Sequence, residues 1–492
     1  MGIESFTQLD WFGFFRSASP LLAIAATAAL VLIMAAFFKE DESCLSGKVA
    51  IAGLAAAFWL AWRAWPGAGG APVLMMSFDR VAAIGWMIAI AAAIAAAMLS
   101  IPYLKERGEP QPDYFSLILL ATFGMGVLMA AADLITILLG LEIMSLAAYA
   151  LTGYLKDRPV SVEGALKYFL MGAFATAFFV MGIAFILGSA GTTDLALLAS
   201  RSKEIAVGEG RSFFLFGCAM AAVGFGFKVA AVPFHAWAPD AYDGAPTPVT
   251  SFMATGVKAA AFIAFLRFVI AAASSAGVLW HHLSWALAAA TMILGNLAAI
   301  RQDNLKRMLA YSSIAHAGYL LVLFPTISAN PSAAMRALVL YLIAYVVMTS
   351  GAFAAVVAMG LAPGEPVEIG NLAGLSRRRP VLAAAFSLFL ISLAGFPPTL
   401  GFFGKYYLFL TAVKSGGVPL VVLAALASVV SVYYYLRPVV VMYFRDSEKG
   451  REMPQHALSP AVVAVIAVAA MAVILFGILP QNIVALAQGS VF

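Results

Sequence analysis

The chain has 492 residues, of which 63% are hydrophobic and 11% charged, with a formal net charge of +5. A soluble domain carries about 45–50% apolar and about 25% charged residues, so this composition excludes an ordinary soluble protein and indicates a polytopic membrane protein. Its Ala- and Leu-rich runs lack strand-type alternation, which leaves helices rather than a barrel to satisfy the backbone. In chain order, apolar runs and breaks predict 14 spans near 20–38, 49–65, 80–103, 114–132, 133–155, 162–189, 212–242 (broken), 248–272, 279–299, 305–325, 334–361, 380–413 (broken), 418–444 and 457–484. The fourth and fifth runs are almost continuous, and Asp133 marks the turn between them. The first run lacks the flanks of a removable signal and reads as a retained helix.

The basic residues sit in loops and form no single patch, which argues against nucleic acid as a partner. Cys44, read as a loop residue, and Cys218, in a span, support neither a disulfide framework nor a metal or Fe–S site. No Walker A and no dinucleotide-binding glycine pattern is present.

Loop charges set the expected orientation. Alternate loops carry Lys39 and Lys48; Lys105 and Arg107; Lys156 and Arg158; Arg301, Lys306 and Arg307; Arg377, Arg378 and Arg379; and Arg445, Lys449 and Arg451. The opposite loops are poorer, although the longest holds Arg201, Lys203 and Arg211. Both termini are then expected on the outer side of the membrane. The two broken segments, with Pro233 and Pro239 in one and Pro397 and Pro398 in the other, lie five spans apart. Interrupted helices in corresponding positions of two halves mark transfer or binding sites in transporters, and units with an odd number of spans are inverted relative to each other.

Charged residues inside the spans are the strongest chemical signal, because each costs roughly 2.5–3.5 kcal/mol at bilayer depth even on mild scales. Glu142 lies roughly 14 Å into the fifth span, with Ser145 and Tyr149 on its face. Lys228 is its natural partner; such a pair is either a bistable element of a proton path or a static bridge that orders the bundle. Lys258 lies near the middle of the eighth span behind Ser251 and Thr255. A buried lysine without a carboxylate partner can take up and release a proton near neutral pH, with snorkelling as the bland alternative. His235, at the first break, fits either a relay or a donor to freed carbonyls. His316 is a mid-span relay candidate or a satisfied core histidine, with Ser312 and Tyr319 on its face and Tyr319 itself a possible relay. Lys405, after the second break and near Thr399, Tyr406 and Tyr407, is the candidate terminal proton site. Trp237, Asp240 and Tyr242 read as interface anchors; Lys167, Arg267 and Arg437, nearer span ends, read as snorkelling cations, with Lys167 also a possible relay.

The run KVAAVPFHAWAPDAYDGAPTPVTSFMATGVKAA (228–260), together with LEIMSLAAYALTGY (141–154), EGALKYFLMGAFATAF (163–178), NLAGLSRRRP (371–380) and SLAGFPPTLGFFGKYYLF (392–409), resembles the antiporter-like subunits of respiratory complex I. The resemblance covers roughly 80–445. The form of 240–245, with Tyr242 where other branches usually carry a histidine, points to one branch of that family. The resemblance implies an all-α fold of about 14 transmembrane helices. N-terminal helices occupy 1–113, a first antiporter-like repeat of helices 4–8 spans 114–272, a second inverted repeat of helices 9–13 spans 273–445, and a last helix lies in 446–492. It implies a proton path through Glu142, Lys228, Lys258, His316 and Lys405. It also implies that FMN, Fe–S clusters and quinone belong to partner subunits, membrane and peripheral, and that the chain sits in a bacterial inner membrane with no redox site of its own. A stand-alone or Mrp-type cation/proton antiporter uses the same lysine chemistry without redox partners. A purely structural subunit would use its charges only to hold helices together.

Overall fold

The computed structural model describes residues 11–37, 43–69, 73–109, 112–205, 208–272, 277–360, 368–446 and 458–489. Every regular element among them is helical. The helices that build the bundle and the site are α1 (Ser19–Phe37), α2 (Ser43–Ala64), α3 (Arg80–Lys105), α4 (Pro112–Ala130), α5 (Leu134–Thr152), α6 (Pro159–Ala190), α7 (Arg211–Lys228), α8 (Trp237–Gly244), α9 (Thr247–Ala271), α10 (Val278–Ile300), α11 (Leu305–Leu321), α12 (Pro331–Ala358), α13 (Pro380–Ala394), α14 (Leu400–Lys414), α15 (Val418–Phe444) and α16 (Pro460–Ile478). Eleven of these are long and apolar enough to cross a membrane; α7, α8, α11, α13 and α14 fall outside that set. The orientation residues Lys39, Lys449 and Arg451 lie outside the described residues.

Sequence punctuation explains most helix starts. Asp133 caps α5, accepting from the Ile135 amide at 2.7 Å and from Thr193 Oγ1 at 2.6 Å, so a two-carboxylate-oxygen cap makes the tight turn after α4. Proline opens α6, α12, α13 and α16 at the position where a missing amide hydrogen costs least. α2 begins at Ser43, well before its apolar run, so Cys44 lies in a helix and not in a loop. Hydropathy marks only the lipid-facing stretch, whereas the hydrogen-bonded helix extends into the polar interface. At the other end of the chain Pro480 separates α16 from a short helix, Gln481–Gln488, where one continuous span was expected.

α9 and α12 form the centre, with 89% of the apolar window of each buried inside the protein; α6, α15 and α16 are peripheral and present Phe174, Val429 and Val468 outward. α9 contains a π turn over Met253–Val257, ending where Lys258 begins the regular helix. π turns recur at functional positions because they re-aim the following side chain.

One charge pair ties the N-terminal helices to the centre. Asp79 caps α3 through the Ala82 amide at 2.8 Å and accepts from Arg267 of α9 at 2.5 Å. Burial pushes the Asp79 carboxyl up, but the Arg267 charge, its hydrogen bond, and those from Ala82 and Ser77 outweigh it and hold the group below the usual carboxylate range. Arg267 is therefore an internal brace and not the snorkelling cation expected from the sequence, because the carboxylate sits within reach on α3.

Candidate functional site

The first constellation forms where α7 stops. Lys228 is the last residue of α7, and residues 229–236 run as turns before α8 restarts, so the break expected from Pro233 is present. Ala230 adopts φ +58°, a conformation costly for a residue with a side chain. The Lys228 amine donates to Tyr149 Oη at 3.2 Å. It lies 5.0 Å from the centre of the Tyr149 ring, 5.4 Å from Tyr168 and 5.3 Å from Phe227. This aromatic cage offers ring faces to a cation that has little water. Gly172 makes the arrangement possible: a Cβ there would meet Tyr149 Oη at 1.9 Å.

Glu142 is half-buried on α5 and accepts from Thr176 Oγ1 at 2.7 Å. It forms no ion pair with Lys228, so the direct pairing expected from the sequence is corrected. Two helical turns beyond Glu142, it is Tyr149 that stands against the amine, and Glu142 acts on both groups only through space. Ser145 lies against the Tyr149 phenol, and its hydroxyl also returns to the Leu141 carbonyl of its own helix.

The second constellation surrounds α11. Lys258 donates to the Ser313 carbonyl at 2.7 Å and to the Ser313 hydroxyl. The stripe of Ser251 and Thr255 is not its partner, because Thr255 Oγ1 donates to the Ser251 carbonyl at 2.6 Å. One turn beyond Ser313, His316 is fully enclosed, with Nδ1 2.6 Å from Tyr341 Oη and Nε2 3.0 Å from Tyr435 Oη. Ser312 also bonds Tyr435. A further turn on, Tyr319 meets His316 at 5.5 Å between ring centres. Lys405 lies 4.9 Å from the Tyr319 ring and donates to the Ala394 carbonyl and Ser428 Oγ, both at 2.8 Å. Ser313, His316 and Tyr319 thus line one face of α11 over about 9 Å, and place Lys258 and Lys405 at its two ends.

Lys405 owes its seat to the second break. α13 ends at Gly395, φ +92°, and a Cβ there would stand 3.0 Å from Lys405 Cδ. The tyrosines adjoining Lys405 in sequence are not its companions. Tyr406 is 48% exposed and stacks on Phe402, since neighbours along a helix face different ways. Thr399 closes a local turn on the Phe396 carbonyl.

Trp237 and Tyr242 are only 2% and 1% exposed, so neither anchors an interface. Trp237 stacks on Tyr168 at 4.1 Å and donates to the Phe227 carbonyl at 3.0 Å. Tyr242 meets Trp237 edge-on at 6.1 Å and also approaches Ser313. These two rings connect the Lys228 cage to the partner of Lys258. Asp240 is bonded to Lys167 at 2.8 Å and Arg307 at 2.7 Å, which also replaces the snorkelling role expected of Lys167. Arg437 donates to the Gln302 carbonyl at 2.9 Å and to Asp303. His235 is half-buried, its Nδ1 without a hydrogen-bond partner, apart from both constellations.

Sequence reasoning missed Tyr341, Tyr345, Tyr435, Ser313, Ser428 and Lys306. Tyr341 and Tyr345, one turn apart on the most enclosed helix, were a readable signal. Lys306 was counted among loop charges, yet it is 5% exposed and donates to the Asp243 and Ala245 carbonyls, both at 2.7 Å. Among the described residues no group of three or more His, Cys, Asp or Glu side chains is arranged to hold a metal ion.

Broken helices and enclosed lysines flanked by phenols define the class of antiporter-like helical membrane proteins. The family described as NADH:quinone oxidoreductase/Mrp antiporter, TM, matches residues 131–431. The NADH-quinone oxidoreductase subunit N of Trichlorobacter lovleyi is 40% identical over 477 residues, covering 96% of each chain. A chain of respiratory complex I from Thermus thermophilus, solved with bound aureothin, superposes with a TM-score of 0.81 at 33% identity, over 95% of this chain and 98% of that one. The Mrp complex from Dietzia sp. contains a chain with TM-score 0.83 at 20% identity, covering 97% of both, a likeness of fold alone. The chain belongs to the subunit N family of NADH-quinone oxidoreductase.

Proposed function

We propose that the chain is a proton-translocating membrane subunit of a bacterial NADH–quinone oxidoreductase. The observation that carries the reading is the enclosed file Lys258–Ser313–His316–Tyr319–Lys405, in which proton-holding groups follow one face of α11. FMN, Fe–S clusters and quinone act in partner subunits, and quinone reduction reaches this chain through those neighbours. The resemblance supports 14 spans, with α7–α8, α11 and α13–α14 completing the eleven long helices. It also supports two inverted units at 114–272 and 273–445, preceded by 1–113 and followed by 446–492. Loop charge favours termini on the periplasmic side.

In this mechanism the Lys228 amine is the switch. With Tyr149 beside it, the amine is held by a phenol and ring faces while Glu142 stands off. Unit charges about 4 Å apart couple by roughly 4 kcal/mol at an effective dielectric of about 20, and coupling weakens with distance. Moving one proton against about 150 mV costs roughly 3.5 kcal/mol. Only the closed arrangement of Glu142 and Lys228 therefore supplies a coupling of that size, so closing and reopening that gap is the electrostatic stroke. Its effect passes through Trp237 and Tyr242 to Ser313 and Lys258. The proton then moves by His316 between Tyr341 and Tyr435 and leaves from Lys405.

The test is purification of the complex from cells carrying Lys228→Ala or Glu142→Gln. Flavin and Fe–S proteins co-purify, and proton movement per NADH oxidised falls severalfold in sealed vesicles while assembly persists. Purification of the wild-type chain without flavin or Fe–S partners favours the stand-alone antiporter, and failed assembly in both variants favours a scaffolding role.

A further inference from the structure

We infer that a 600 Å³ pocket among the N-terminal helices seats the phosphate headgroup of an anionic phospholipid, at the membrane face where α2 ends and α3 begins. The pocket is lined by Arg16, Ser17, Trp59, Arg63, Asp79 and Trp86, with others. Its walls are rigid: Trp86 Nε1 donates to the Gly126 carbonyl at 2.9 Å, and Phe78 packs edge-on against Trp86 and Phe14.

Among the described residues, charge in the pocket is unbalanced. Arg16 and Arg63 are exposed, and neither has a carboxylate partner among the described residues. The carboxylate at the pocket, Asp79, is already committed to Arg267, Ala82 and Ser77. The Arg63 guanidinium rests 4.9 Å from the Trp59 ring centre, which fixes it while leaving donors for a ligand. Arginine forks match phosphate oxygens two at a time.

The depth is that of a lipid headgroup. Trp11, Trp59 and Trp62 are 42%, 55% and 51% exposed at the end of apolar helices, with Phe12 and Phe15 beside them. Tryptophans so placed mark the membrane–water boundary, where phosphates stand. A soluble anion would find the arginines but would leave the exposed faces of Trp59 and Trp62 to water; a phospholipid satisfies both, placing its acyl chains along the exposed apolar surface of α1 and α2.

The experiment uses the intact complex in mild detergent, carrying the wild-type chain, Arg16→Ala, Arg63→Lys or the double Arg16→Ala/Arg63→Ala variant. Lipid retention is read by native mass spectrometry during titration with phosphatidylglycerol, phosphatidylcholine or inorganic phosphate. The double variant is expected to bind phosphatidylglycerol at least about tenfold more weakly, through the loss of two charge-assisted contacts. Arg63→Lys, which keeps the charge but loses the fork, should fall between the wild type and the double variant, and NADH oxidation should be unchanged throughout. Equal phosphatidylglycerol retention in all forms overturns the seat. So does phosphatidylcholine binding as tight as phosphatidylglycerol binding in the wild type. Displacement of the lipid by inorganic phosphate alone assigns the pocket to a free anion and overturns the lipid. Should the double variant fail to assemble, the surface variant Arg16→Ala alone decides, with severalfold weaker binding expected.

Discussion

The two helix breaks solve the same problem in opposite ways. At the first, the lysine precedes the break, ends its helix, and meets aromatic faces with a carboxylate held back behind a phenol. At the second, the lysine follows the break, sits inside a helix, and is bonded to a carbonyl and a hydroxyl with no carboxylate close by. In the proposed mechanism the first has a partner that can approach or withdraw. The second is bonded to two neutral acceptors, which suits the proposed role of an amine that only gains and loses a proton. Charge that responds to a neighbour and charge that merely passes a proton thus need different surroundings.

The largest expected effect tests the neutral-acceptor half. Lys258→Ala removes the group bonded to Ser313, and proton pumping in reconstituted vesicles should fall at least about tenfold with the complex assembled. Unchanged pumping would reduce the α11 file to packing. Tyr149→Phe and Glu142→Gln sharpen the other half. Each should lower pumping severalfold, and the double variant should be little worse than the poorer single one, because the two act on one amine. Additive losses would separate Glu142 from Tyr149.

Asp79 provides a control, a carboxylate paired directly with its cation. Asp79→Asn should destabilise the assembled complex by about 3 kcal/mol near neutral pH, read as a lowered melting temperature, because it leaves Arg267 buried without its counter-charge. Its folded carboxyl lies below the ordinary value near 3.9. Between the two values the unfolded chain holds the proton and the folded chain does not, so the contribution is full above about pH 4 and disappears as pH falls through the lower, folded value. Asp79→Asn should abolish that acid dependence.

The smallest effect compares the backbones. Ala230→Gly should relieve the left-handed conformation, by no more than about 1 kcal/mol, partly offset by glycine's freedom in the unfolded chain. Gly395→Ala should be worse than neutral and should also lower pumping, since its added carbon presses on Lys405.

What was legible follows from how each residue acts. Lys228, Lys258, His316 and Lys405 stood out because charge or imidazole in an apolar run is costly, and both breaks were readable from proline. The family resemblance was equally visible in 228–260. The partners were not. Tyr341 reaches His316 across 25 positions and Tyr435 across 119, so no local spacing pairs them. Ser251 and Thr255 looked like companions of Lys258 because helical periodicity says which residues share a face, but not whether a hydroxyl turns back to its own backbone. Tyr242 and Trp237 looked interfacial because amphipathic aromatics so often are; their burial depends on α6 and α11 closing over them.

Lys306, Arg307 and Asn304 at the start of α11 grip Asp240, Asp243 and Ala245 at the end of α8. This clasp joins what are proposed as the two repeats at one rim of the molecule. Wholesale tilting of one repeat against the other would have to tear it open, including two buried carbonyls left without donors. The proposed stroke would therefore be confined to side chains and their immediate turns, with the scaffold as a fixed frame, more like a relay housed in a rigid casing than a rocking gate.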